Sequence, residues 1–267
     1  MIKLYNGDCL EVMDKLIEQG IKVDAIITDP PYGTTACSWD SIIPLKPMWE
    51  RLNKLIKPNG AIVLFGSEPF SSALRMSNIK NYRESLIWLK NKAGSGLHAK
   101  QKHIKITEDI IVFSKQGAYT YNPQKWLVEK KEFLTQRKTL KYVEVGNNIY
   151  SKMTKKQTKD DGSRYPLSVI SCRVPFTPSK TKIYSNTVDI RIHPTQKPVE
   201  LMKYLIKTYT NENETVLDFT MGSGTTGIAC RQLNRDFIGI ELDKNYYEIA
   251  KKRINGDMQL NLFEKGE

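Results

Sequence analysis

The chain has 267 residues, 40% of them apolar, which suffices for one α/β domain with a real core plus an insertion or small second lobe. No apolar run approaches the ~20 residues that span a bilayer. Residues 1–10 lack the basic-then-apolar layout of a signal peptide, and Cys9, Cys37, Cys172 and Cys230 form no CxxC pair, which argues against a zinc site or disulfide framework and fits a reducing cytoplasm.

The first 114 residues read as strands alternating with helices. Short, β-branched apolar runs at 24–28, 61–65, 85–89 and 110–113 have strand length. A helix around 48–56 is stopped by Pro58-Asn59-Gly60. Such alternation predicts a mostly parallel sheet. From 115 to 191 the pattern breaks: Lys, Thr, Ser and Asn dominate, with isolated aromatics such as Trp126, Tyr142, Tyr165 and Phe176. Of the chain's net +12, this stretch carries +10, with 16 Lys/Arg against 6 Asp/Glu. A basic charge confined to one segment points to a polyanion, nucleic acid first. Order returns at His193. Pro198 suits a first helical turn, and Val199, Met202, Leu205, Ile206 and Tyr209 then mark one helix face. A buried strand at 215–218, a glycine turn, a helix through Leu233, a strand at 237–241 and a last helix near 245–254 follow, with Asp243 as its N-cap.

Two motifs carry chemistry. The first in argument is Asp218-Phe219-Thr220-Met221-Gly222-Ser223-Gly224-Thr225, a strand running through glycines into a helix. Glycines let backbone pass close to a ligand at the sheet's C-terminal edge, and a helix start favours an anionic group. Seventeen residues beyond Gly224 stands Glu241, at a strand end, where a carboxylate accepts both hydroxyls of a ribose. The turn alone does not separate a nicotinamide dinucleotide from S-adenosylmethionine.

The second is Asp29-Pro30-Pro31-Tyr32-Gly33, at the end of the strand at 24–28. It suits an exocyclic amine, a poor nucleophile because its lone pair is delocalised into the base. A carboxylate and a backbone carbonyl accepting its two hydrogens would push the nitrogen toward a reactive geometry. The two prolines fix where that carbonyl points, and Tyr32 can stack on a base.

In this order, with a basic segment between the blocks, the chain resembles the β-class of amino-methylating DNA methyltransferases over nearly its whole length. The resemblance implies a Rossmann-like, circularly permuted α/β sheet that uses S-adenosylmethionine, with a target recognition region inserted. Residues 1–114 would be the catalytic half, 115–191 the recognition region, 192–255 the cofactor half and 256–267 a tail. Tyr5-Asn6-Gly7-Asp8-Cys9 resembles the element that contacts the cofactor adenine, which assigns Asp8 and Cys9 to that ring. His193-Pro194-Thr195-Gln196-Lys197-Pro198 resembles the block that holds the methionine end. Thr195, Gln196 and Lys197 would act there, with Lys197 facing the carboxylate, alongside Asp218, Gly222, Gly224, Thr225 and Glu241. Asp29, Pro30, Pro31 and Tyr32 would be the catalytic set. The implied activity is site-specific methylation of adenine N6 in double-stranded DNA, of the restriction–modification kind, by base flipping and direct displacement. Cytosine N4 is the rival acceptor, and a non-catalytic DNA-binding regulator the rival class. A homodimer, no metal and no membrane complete the expectation. One departure stands out: the family has Asp-Pro-Phe-x-Gly-x-Gly, so the aromatic here, Phe219, is shifted by one position and Thr220 takes its place.

Overall fold

A computed structural model of the chain describes residues 1–33, 41–93, 99–127, 162–173 and 196–257. Two compact units emerge, Met1–Asn122 with Ser168–Glu267, and Pro123–Leu167.

The larger unit is built on one eight-stranded sheet. Its strands are β1 (Ile2–Asn6), β2 (Val23–Thr28), β3 (Ile56–Gly66), β4 (Tyr82–Lys90), β5 (Thr107–Phe113), β8 (Val169–Cys172), β9 (Thr215–Asp218) and β10 (Asp236–Glu241), in the order β1-β10-β9-β2-β3-β5-β4-β8. All neighbours pair in parallel except β5, which runs antiparallel to both β3 and β4. The expected mostly parallel sheet is therefore the observed one. Pro58-Asn59-Gly60 does not precede β3 but bulges from it, where the β2–β3 register jumps from Val23↔Ile56 to Ala25↔Ala61.

The central strands read as continuous apolar runs because both faces are covered. Side chains alternate between two cores. Ile26, Ile62, Leu64, Ile111, Leu217 and Ile238 pack under helices α1 (Cys9–Glu18), α2 (Leu45–Leu55) and α3 (Phe70–Ser77). Their neighbours Ala25, Ile27, Val63, Ile110, Val112 and Val216 pack under α4 (Val199–Tyr209), α5 (Thr225–Gln232) and α6 (Lys244–Asn255). The helix face read from sequence for α4 is the buried one: Met202, Leu205, Ile206 and Tyr209 are all fully or nearly fully enclosed. Asp8 caps α1, accepting from the amides of Leu10 and Glu11, and Asp243 caps α6 as expected, accepting from those of Asn245 and Tyr246. No described helix is long and apolar enough to cross a membrane.

The smaller unit shows β6 (Trp126–Leu127) paired antiparallel with β7 (Ser163–Arg164). Trp126 Nε1 donates to the Tyr165 carbonyl at 3.3 Å, and Lys125 Nζ lies 4.5 Å from the Tyr165 ring centroid. Trp126, Tyr165 and Leu167 are exposed. Of the basic stretch, the remaining described residues belong to the sheet unit: Tyr119 packs near Tyr209, and β8 adds the last edge strand beside β4.

Candidate active site at the sheet edge

Topology brings the two motifs together. β2 and β9 are neighbours, with Ala25 opposite Val216 and Ile26 opposite Leu217. Running parallel, they deliver Asp29 and the glycine turn to the same C-terminal edge, the place where open α/β sheets bind ligands.

A hydrogen-bond latch ties these turns. Asp218 is only 3% exposed. Its carboxylate accepts from the hydroxyls of Thr28 and Thr226, the latter at 2.5 Å, and from the Thr220 amide at 3.2 Å. Thr28 Oγ1 lies 2.8 Å from Thr220 Oγ1, and Thr220 Oγ1 donates to the Asp29 carbonyl at 3.0 Å. Thr220, which stands where the resemblance would place the aromatic, thus fastens the glycine turn to the Asp-Pro-Pro turn. Burial pushes the Asp218 carboxyl up to about 6, against the hydrogen bonds from Thr226 and Thr28. So enclosed, Asp218 braces the turn from beneath.

The turn is open on the side a ligand would use. Gly222 has φ +53°, and among the described residues nothing lies within 4 Å of the place a Cβ would take. Gly224 has φ +82° and its back lies against Ala250 and Ile254 of α6, so a side chain is excluded by both conformation and contact. Thr225 starts α5 beyond it. Arg253 Nη1 donates to the Ser223 carbonyl at 2.5 Å and to its hydroxyl at 2.8 Å, and Ser223 Oγ donates to Gln196 Oε1 at 3.4 Å. Glu241, at the end of β10, accepts from the amides of Gly222 at 2.9 Å and Asp243 at 2.8 Å. Burial raises its carboxyl, partly offset by those amides. β1 lies alongside, and the Gly7 amide donates to the Glu241 carbonyl at 3.0 Å, which sets Asp8 and Cys9 at the same edge. Asp8 is exposed; Cys9 is buried, and that burial pushes its thiol up to about 12. Open glycines, a ribose-type acid and a helix start fit an adenosyl group.

Asp29 is held from both sides. Tyr32 Oη donates to its Oδ1 and Lys197 Nζ to its Oδ2. The Tyr32 ring stacks on Phe70, centroids 5.3 Å apart at 27°. Pro30 is buried and Pro31 half-buried, consistent with a fixed turn. Lys197, 7% exposed, also reaches Glu108 Oε2 at 3.3 Å and lies 5.0 Å from the Phe65 ring centroid. Burial raises the Asp29 carboxyl, opposed by Lys197. Burial also raises the Tyr32 hydroxyl, helped by the Asp29 charge. Lys197 would be lowered by burial, but Asp29 and Glu108 outweigh it and hold the ammonium above its usual range. Expected to meet the cofactor's carboxylate, Lys197 here meets two carboxylates of the chain itself. Glu108, Thr28 and Thr220 escape sequence reasoning; the only hint of Glu108 is an acidic pair heading an apolar strand. Thr195 lies outside the described residues.

Against known proteins, residues 23–252 match the model of one family, described as DNA methylase. The chain belongs to the DNA methylase family. Its similarity to the Type II methyltransferase M.HpaI of Haemophilus parainfluenzae is 26% identity over 98% of this chain and 76% of that protein. To the DNA adenine methyltransferase YhdJ of Escherichia coli (strain K12) it is 26% over 94% of this chain and 82% of that protein. The crystal structure of the M1.HpyAVI–SAM complex superposes with a TM-score of 0.62 at 31% identity, covering 95% of this chain and all of that one. The family description names a methylase of DNA, and the superposed M1.HpyAVI structure is a complex with SAM. Among the described residues of this DNA methylase, no cluster of three His, Cys, Asp or Glu could hold a metal ion.

Proposed function

We propose that this DNA methylase methylates the N6 amine of adenine, with Asp29 as the carboxylate that activates it. The observation that carries the proposal is Asp29 at the end of β2, latched through Thr220 to the glycine turn on the adjacent strand. S-adenosylmethionine, when bound, supplies an electrophilic methyl group. Gly222, Gly224 and Thr225 would lie along it, Glu241 would accept its ribose hydroxyls, Asp8 and Cys9 would meet its adenine, and Thr195 and Gln196 its methionine end, while Lys197 is engaged by Asp29 and Glu108. Asp218 supports that turn from below.

The chain's own residues do the rest. Asp29 accepts one hydrogen of the target amine and a carbonyl of the Asp-Pro-Pro turn accepts the other, which localises the lone pair on nitrogen. Pro30 and Pro31 hold that carbonyl still. Tyr32 supports the extruded base by stacking, worth roughly 1–3 kcal/mol, against a flipping cost of a few kcal/mol. After displacement the nitrogen carries a surplus proton, which Asp29 is placed to accept. The basic 115–191 stretch, with exposed Trp126 and Tyr165, would grip the duplex and read the site. The family resemblance adds a homodimer and cytoplasmic action; light scattering tests the first.

Adenine is preferred over cytosine N4 on the Asp at the head of the catalytic motif. Incubation of DNA with labelled cofactor, followed by a nucleoside digest, should place the label in N6-methyladenine; label in N4-methylcytosine overturns the base assignment. Asp29→Ala should abolish transfer while cofactor binding survives in calorimetry, and near-normal turnover of that variant overturns the catalytic assignment.

A further inference from the structure

Four charged side chains form an alternating row that ends on Asp29. Lys90 Nζ lies 2.9 Å from Glu108 Oε1, Glu108 Oε2 lies 3.3 Å from Lys197 Nζ, and Lys197 Nζ pairs with Asp29 Oδ2. They come from four places in the chain: the end of β4, the head of β5, the lead into α4 and the end of β2. β5 is the one described strand of the sheet that runs backward, so its first residues arrive at the edge where the other strands finish. Lys197 is sealed from solvent, and its cationic face is otherwise lined by the rings of Phe65 and Tyr32. A buried ammonium with a single carboxylate partner would neutralise that partner. Here two carboxylates share it.

The sharing matters for the chemistry. An amine under attack gains positive charge and needs an anionic acceptor. An Asp29 bound one-to-one to Lys197 would be a weakened acceptor; an Asp29 without Lys197 would be a buried lone charge that takes up a proton. We propose that Glu108 is a positioning residue for methyl transfer: by holding the far side of the Lys197 ammonium, it sets how firmly that ammonium engages Asp29 and keeps Asp29 anionic yet open to the target amine. Lys90 completes the row by compensating Glu108. This role rests on Asp29 being the catalytic carboxylate.

Among the described residues, the charged and titratable groups that face Asp29 are Lys197, Glu108, Tyr32 and, from β9, Asp218, with Asp109 and Lys90 one step further. Removing Lys197 takes a cation away, so Asp29 holds a proton to higher pH. Removing the Glu108 charge takes an anion away and tightens Lys197 on Asp29, so Asp29 ionises at lower pH. The test measures kcat at saturating cofactor and DNA across pH for wild type, Glu108→Gln and Lys197→Met, with calorimetric cofactor binding and thermal unfolding of each. Glu108→Gln should lower kcat on the order of 10-fold and move the acid limb of the profile downward; Lys197→Met should move it upward; each shift should be on the order of one pH unit. A merely structural ion pair would lower the unfolding temperature without moving the limbs in opposite directions. Limbs that stay put, move together, or are absent from the wild type overturn the proposal, and so does a Lys197→Met protein that folds but shows no limb to compare. Asp29→Ala in the same series separates the failures: an active Asp29→Ala removes the catalytic reading itself, whereas an inactive one with unmoved limbs removes only the role of Glu108.

Discussion

Asp218→Asn should change the pH dependence of stability in a way that can be worked from the structure. Asp218 is enclosed, and burial pushes its carboxyl up to about 6 from the usual 3.8. A folded-state value above the unfolded one means that the native protein binds the proton more tightly. The protonated carboxyl therefore contributes stability that is fully present below about pH 3.8 and is lost as pH rises through about 6. Over the whole range the difference is about 3 kcal/mol, at 1.36 kcal/mol per unit; between pH 7 and pH 5 it is about 1.4 kcal/mol. Asn does not titrate. Urea unfolding without cofactor, at steps from pH 5 to pH 7.5, gives the wild-type minus variant difference, in which the other carboxylates cancel. The wild type should gain relative to Asn as pH falls, by roughly that 1.4 kcal/mol, on top of a pH-independent offset from the altered bonds to Thr28, Thr220 and Thr226. A difference that is flat with pH, or that grows in the opposite direction, refutes the reasoning.

Thr220→Val removes a hydroxyl and keeps shape: stability should fall by about 1 kcal/mol and kcat on the order of 10-fold, cofactor affinity should hold, and Thr220→Ser should restore turnover. Unchanged kcat in single-turnover assays counts against the latch. Gly224→Ala sets a methyl about 3 Å from Ala250 and Ile254 at a positive φ; it should cost about 2–4 kcal/mol in urea unfolding and weaken cofactor binding in calorimetry, and a silent substitution would contradict the close packing. Replacing residues 123–167, which hold 11 Lys/Arg against 5 Asp/Glu, with a short linker should leave cofactor binding intact while flattening the salt dependence of DNA affinity. Selective methylation of the original sites by that variant would move recognition elsewhere.

Much of the fold was legible because its signals are local. The strand at 215–218 is observed with the same bounds, and α4 buries the face its periodicity marked. β1 carries no local signal, because Ile2-Lys3-Leu4-Tyr5-Asn6 is short and mixed, and its pairing partner β10 lies more than two hundred residues away. The glycine turn and Glu241 could be read from spacing along one βαβ segment. Glu108 could not, since its meaning depends on β5 running backward to the catalytic edge. Lys197 shows the same limit: a lysine beside a cofactor block invites a ligand carboxylate, and only the fold reveals Asp29 and Glu108 within reach. Thr220 looked like a flaw in a motif and turns out to be a fastening.

In the proposed role as ribose acceptor, Glu241 would meet the cofactor with its loop already set. Its two oxygens already accept the amides of Gly222 and Asp243, yet a carboxylate offers about four acceptor sites. Two ribose hydroxyls can therefore join without evicting either amide. The loop's shape is preorganised during folding, so its ordering entropy is not charged to association. Encounter with the nucleoside should then resemble docking into a rigid mould, and truncating this one acid would damage the mould as well as the grip.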